Sequence, residues 1–453
     1  MTTQFFYSTR GTAPKADLAH ALFRSLAPDG GLYMPANIPD LGTQFWDQID
    51  ALSFQEIAFE LTNALIGQFL PSDALRKICN QAFDFEVPVT WLEDDVYVLE
   101  LFHGPSLAFK DFGARFMSRI MSNLLQSGTD LSEVLGKVDQ TESGTGPMVD
   151  VLVATSGDTG GAVAMGFLGT PGIRVTILYP KGKVSHLQEL QLTTLGQNVR
   201  AIEVDGTFDD CQALVKQAFN DSTLRGKLWL TSANSINLFR LIPQSLYYAW
   251  AYAQLKGKLK QDRLTISVPS GNFGNLCAGL LIQRMGCPIT QFVASTNVNN
   301  VVPRYLSTGL YDPQPTIPTI SNAMDVGSPS NWERIAHLFK NDYGQIRKLI
   351  TGFDFSDEVT TLAMSQIFAL RHYILEPHAA VAYLGLKTYL KQNLPSTGVL
   401  LATAHPAKFT DVMPAEVAKA VEVPERLAVL RGRPKVAIPI SNDYAALKQI
   451  LLT

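Results

Sequence analysis

Cysteine is scarce and unpatterned in this 453-residue chain: Cys79, Cys211, Cys277 and Cys287 stand apart, with no CxxC pair among them. Four such residues cannot staple a disulfide scaffold or build a zinc site, so reduced, buried thiols in a cytoplasmic protein are expected. An excess of one charge is lacking too. The 37 basic and 41 acidic residues leave a formal charge of −4, which gives no broad positive field for a phosphate backbone and sets nucleic acid aside. No stretch approaches the roughly 18 uninterrupted apolar residues of a membrane helix, and the opening MTTQFFYSTRGTAPK puts no basic region ahead of an apolar one. Membrane spanning and secretion both lose support. His103 and His378, in HGPS and EPHAAVA, have no second His, Cys or carboxylate at ligand spacing. A metal is therefore not expected.

What is present reads as α/β. The length calls for two or three domains. From Met148 onward short β-branched runs alternate with helical patterns across Gly-rich turns, the rhythm of parallel strands with crossover helices. The runs are 148–154, 173–179, 199–204, 228–232, 264–268, 291–295 and a late return at 398–404. SHLQELQLTTLG and FDDCQALVKQAF lie between them as helices, the second with acidic residues suited to a helix amino end. Polar, Gly-rich residues 126–147 read as a mobile surface loop, and Pro-rich residues 310–330 as an ordered but irregular connection. Before Trp91 the periodicity is helical, as in FQEIAFELTNALIG, with little strand alternation. The end of the chain reads as an appended strand and helix.

Lys110, in LFHGPSLAFKDFG, has apolar neighbours Phe102, Leu107, Phe109 and Phe112. Lone lysines in such runs commonly lay the stem along apolar surface and keep the head in water. A lysine aimed inward behaves differently, because burial disfavours the ammonium and frees the amine to attack an aldehyde. Its companions favour the second reading. ATSGDTGGAVAMG (154–166) and SVPSGNFGNLCAG (267–279) each run from a strand through a Gly-rich turn into a helix, a geometry that cradles an anion. In the first, the hydroxyls of Thr155, Ser156 and Thr159 are expected to face outward. Neither turn has the GxGxxG spacing of a dinucleotide site or continues into GK[ST], so nicotinamide and ATP are poor ligands. SANSINLFR (232–240) adds Asn234 and Arg240 for a phosphate or carboxylate, and TAHPAKF (403–409) offers the Thr403 hydroxyl. Tyr247, Tyr248 and Trp250 are expected in the core.

These segments, LAFKDFG, ATSGDTGG, PKGKVS, TSANSIN, PSGNFGN, SNAMDVGSPSN and LATAHPAKF in that order, resemble the threonine synthase family of fold type II pyridoxal-phosphate enzymes. YSTRG (7–11) and PDGGLYMP (28–35) resemble its amino-terminal region, so the likeness spans nearly the whole chain. The resemblance implies two open, twisted, mostly parallel-sheet domains preceded by a small, mainly helical one. The boundaries we expect are 1–95 for the amino-terminal domain and 96–453 for the catalytic region, its smaller α/β subdomain near 110–245. Pyridoxal 5'-phosphate is the implied cofactor, held by Lys110 as a Schiff base. Gly271, Asn272, Phe273, Gly274 and Asn275 would cradle its phosphate, and Thr403 would face the pyridine nitrogen. Ser156, Asp158 and Thr159 would hold the substrate carboxylate, and Lys183, Asn234 and Arg240 the substrate phosphate. The implied reaction converts O-phosphohomoserine and water to threonine and phosphate in a cytoplasmic monomer or homodimer. A phospholyase releasing 2-oxobutyrate, ammonia and phosphate is the competing activity, and a noncatalytic protein that keeps the fold is the competing class.

Overall fold

The computed structural model describes residues 4–136, 148–393 and 395–453. Most of the expected 126–147 loop, 137–147, lies outside them; the part before it carries a helical turn, Ser132–Leu135. In chain order, β1 (Phe6–Ser8) pairs antiparallel with β2 (Tyr33–Pro35), and β3 (Val89–Glu93) with β4 (Val96–Glu100). Next come β5 (Val149–Ala154), β6 (Ile173–Pro180), β7 (Val199–Asp205) and β8 (Trp229–Thr231). β9 (Leu264–Pro269), β10 (Gln291–Thr296), β11 (Ile350–Asp354), β12 (Thr397–Ala402) and β13 (Ile438–Ser441) complete the set.

Two larger sheets result. One has the order β13-β7-β6-β5-β8 and is parallel throughout; the other has the order β11-β10-β9-β12-β4-β3 and is parallel except at the β3–β4 edge. The central strands explain this arrangement. Every residue of β9, β10 and β12 is buried, so both faces must be covered by helices, which is the condition under which parallel sheets occur. Register follows from the same apolar pattern: Val151 lies opposite Val175, and Ile266 opposite Phe292. The crossover helices are well started. Thr207 and Asp210 form a capping box at Phe208–Asn220, as Ser185 and Gln188 do at His186–Thr193.

The seven expected strands form within a residue or two of their predicted ends, and the carboxy-terminal strand and helix are β13 and Tyr444–Leu451. The amino-terminal region is mainly helical, as expected, with helices at Leu18–Arg24, Gly42–Gln48, Phe54–Ile66 and Ser72–Ala82 and the short β1–β2 pair in addition. Phe54–Ile66 starts on a Ser53–Glu56 capping box. Its core is shared with later residues: Phe54 packs edge-on against Phe83, Phe112 and Trp250. The expected boundary at residue 95 also falls between β3 and β4, which pair within one sheet. The 310–330 connection is irregular, with one 3-10 turn at Asn322–Met324. Among the described residues no helix is long and apolar enough to cross a membrane.

Candidate active site

Four of the loops singled out in the sequence leave the carboxyl ends of parallel strands, where open α/β sheets place their ligands. Residues 155–159 follow β5, 232–237 follow β8, 270–274 follow β9 and 403–409 follow β12. Lys110 reaches the same place by another route. The turn after β4 brings residues 101–109 back along the end of β12: Leu101 N–H donates to Ala402 O at 2.9 Å, Phe109 N–H to Thr403 O at 2.8 Å, and His405 N–H to Leu107 O at 3.0 Å. The helix Lys110–Gln126 then begins at the lysine itself.

Lys110, Ser156, Asp158 and Thr159 line one cavity of about 120 Å³ together with Gln188, Asn322, Ala323, Asp325 and Val326. Among the described residues Lys110 forms no hydrogen bond or ion pair. Burial, opposed by the Asp158 carboxylate and reinforced by the Lys408 and Arg240 cations, pulls its pKa down to about 8. Asp158 opens the helix Asp158–Phe167 and is itself buried. Burial alone would raise its pKa; Lys408 Nζ at 2.6 Å, the nearby Lys110 charge and a hydrogen bond from Gln188 Nε2 at 3.0 Å hold it well below the usual carboxylate range instead. Its side chain is thus committed, and what it offers a second carboxylate is backbone N–H. Thr155 corrects the expectation that its hydroxyl faces outward. It is buried, and its Oγ1 accepts from Gly157 N–H (3.0 Å) and Gly160 N–H (2.8 Å), fixing the turn rather than facing a ligand.

The second turn is built for close approach. Phe273 has φ 60°, a left-handed conformation uncommon outside glycine, and the helix Gly274–Arg284 starts with no side-chain cap. A Cβ on Gly271 would stand 2.7 Å from Met324 Cα, and one on Gly274 would stand 3.2 Å from Asn331 Nδ2, a buried donor without a partner. Asn272 braces the turn: its Oδ1 accepts from Ser330 N–H at 2.6 Å, and its Nδ2 donates to Ser235 Oγ at 3.0 Å. The Asn275 Oδ1 accepts from the Tyr247 and Tyr248 hydroxyls at 2.6 and 2.7 Å, while its Nδ2, like that of Asn331, is a buried donor without a partner. Both tyrosines are core, as expected; Trp250 is partly buried at its edge.

The proposed phosphate-facing trio is not assembled on the cavity wall. Lys183 and Asn234 are exposed, whereas Arg240 is buried behind the helix Lys110–Gln126, its Nη1 donating to Ala233 O at 2.5 Å and its Nε unpartnered. The reason is packing, for the Arg240 backbone and Nε fill the space a Cβ on Gly113 would need. Sequence reasoning assigned no role to Gln188, Lys408, Asp325 or Arg334. Lys408 and Asp325 lay within quoted segments, but nothing local marks an inward lysine after a histidine-proline turn. His378 supports the wall: its Nδ1 faces Glu376 Oε2 at 2.6 Å, and Nε2 accepts from Ala323 N–H at 3.2 Å. His103 likewise meets Glu100 at 2.7 Å. Among the described residues no cluster of metal-ligating groups exists.

An amine of lowered pKa beside an uncapped helix start, a glycine cradle and an orphaned amide donor suits an aldehyde that carries a phosphate. The residues present therefore fit pyridoxal phosphate, and the fold and site define a pyridoxal-phosphate-dependent enzyme. Sequence comparison agrees. Residues 89–403 match the pyridoxal-phosphate dependent enzyme family, residues 5–83 the threonine synthase N terminus, and residues 379–451 the threonine synthase C-terminal family. Threonine synthase of Escherichia coli is 41% identical over 446 residues, covering 98% of this chain and 99% of the relative. Its crystal structure superposes with a TM-score of 0.86, covering 99% of both chains, and pyridoxal-phosphate-bound threonine synthase of Brucella melitensis, 31% identical and also covering 99% of both, with 0.90. The chain belongs to the threonine synthase family.

Proposed function

We propose that this chain converts O-phosphohomoserine and water to threonine and phosphate, with Lys110 holding the cofactor covalently. The carrying observation is Lys110 itself: an unpaired lysine of lowered pKa in a small cavity at the amino end of the helix Asp158–Phe167. Gly271, Asn272, Phe273, Gly274 and Asn275 would hold the cofactor phosphate through backbone N–H groups and the spare Asn331 amide, and Thr403 would meet the pyridine nitrogen. Bound there, pyridoxal phosphate would supply an electron sink for the electron pairs left on the substrate when protons are taken from Cα and Cβ.

The remaining work belongs to the chain. Ser156 and Thr159, with the N–H groups at the start of Asp158–Phe167, bind and orient the substrate carboxylate. Once the substrate amine displaces it, Lys110 Nζ is the base at Cα, and a pKa near 8 suits it to both take and return a proton near neutrality. Lys183 and Asn234, exposed and off the cavity wall, would meet the substrate phosphate from the open side, and the buried Arg240 would add positive charge from behind. The wall at Asn322, Ala323, Asp325 and Val326 keeps the reacting carbons from bulk water. Four unpaired, buried cysteines suit the cytoplasm, which completes the proposal. The test is phosphate release from O-phosphohomoserine. Purified protein should release phosphate, and Lys110→Ala should lower the rate by at least about 10³-fold; release at the parent rate in that variant would overturn the reading.

A further inference from the structure

Lys408 takes no part in the chemistry proposed above, yet its side chain is fully buried in the site. It arrives from the turn after β12 and reaches across to the helix that follows β5, linking the two sheets. Its Nζ meets Asp158 Oδ1 at 2.6 Å and donates to Ser106 O at 2.9 Å. Gln188 Nε2 binds the same Asp158 oxygen at 3.0 Å, so the carboxylate is held from two sides. Other charged groups surround Lys110 as well. Arg240 stands on the helix Leu238–Leu255, Asp325 on the cavity wall, and Asp111 is turned to Ser106 N–H at 2.8 Å. Asp158 is the carboxylate that shares the wall with Lys110 most directly, and a lysine beside an uncommitted buried carboxylate would pair with it and keep its proton.

We propose that Lys408 is a positioning residue that holds Asp158 in a buried ion pair and so leaves the Lys110 amine free of that carboxylate. This rests on Lys110 being the cofactor anchor. Removing Lys408 alone leaves Asp158 to pair with Lys110, which holds the amine protonated to higher pH. Removing both charges leaves Lys110 with neither influence, so the double variant reverts toward the parent. A side chain that only filled space would give no such reversion.

The experiment measures the rate at which cofactor-stripped protein captures added pyridoxal phosphate, followed by visible absorbance across pH. In the parent the rate should rise with pH and level off above about 8. Lys408→Met should raise that midpoint by about one pH unit and so slow capture near neutral pH by about tenfold. The Asp158→Asn, Lys408→Met double variant should return to within about threefold of the parent. An unmoved midpoint in Lys408→Met of parent-like circular dichroism, or a double variant as slow as the single one, overturns the proposal. Should Lys408→Met not fold, Asp158→Asn decides, because it must move the midpoint downward and an unmoved one is contrary. Lys110→Ala should retain no cofactor after borohydride reduction and denaturation; cofactor fixed to that variant would remove the anchor reading itself, a separate failure.

Discussion

Lys110 and Gly271 show how little tolerance a single position can have. Lys110 became legible because its apolar neighbours Phe109 and Phe112 announce burial and two Gly-rich turns announce an anion. The charges that tune it were not legible, since Lys408 and Asp158 lie 250 positions apart in the chain and meet only in the fold. Gly271 is a backbone requirement. Its missing Cβ leaves room for Met324 Cα and Ala323 O, main-chain atoms that cannot rotate aside. Gly271→Ala should therefore weaken cofactor binding by at least about tenfold, roughly 1.4 kcal/mol, in an absorbance titration with pyridoxal phosphate. Unchanged affinity would mean that the turn does not hold the phosphate.

At the scale of elements, the strands buried on both faces were readable, whereas β3, β4 and β11 were not. β9, β10 and β12 carry continuous apolar runs, whereas β3 and β11 are partly exposed and mix Trp, Thr, Gly and charge. The irregular 310–330 connection was readable as irregular, but its use as a wall of the site depends on contacts from far away. Arg334 is the clearest case. Fully buried, it donates from Nε to Tyr33 O (3.2 Å), from Nη1 to Asn331 Oδ1 (2.6 Å) and from Nη2 to Ile236 O (2.5 Å). It thereby ties β2, the loop after β8 and the helix Trp332–Leu338 to Asn331, beside Gly274. Arg334→Met leaves those buried acceptors short of a donor and should cost about 3 kcal/mol, read from the denaturant midpoint, with weaker cofactor binding alongside. A midpoint equal to the parent's would show that the acceptors find other donors.

For the whole molecule, the amino-terminal segment and the catalytic sheets share one continuous core. Phe6 stacks edge-on against Phe239, Trp46 Nε1 donates to Met285 O at 3.1 Å, and Phe54 meets Trp250. Helical periodicity revealed the helices of that segment, but not that their apolar faces are completed by residues some two hundred positions later. A chain lacking residues 1–85 should consequently be insoluble or bind hydrophobic dye strongly, rather than remain a smaller working enzyme. Recovery of soluble, active protein would contradict a shared core. The β13 strand carries the same lesson at the other end, since it pairs with β7 in parallel and closes the smaller sheet. Both ends of the chain thus contribute to the frame around Lys110. The most direct test of the account is product analysis after incubation of the purified holoenzyme with O-phosphohomoserine: threonine and phosphate in equal amounts are predicted, and 2-oxobutyrate with ammonia as the main product would contradict it.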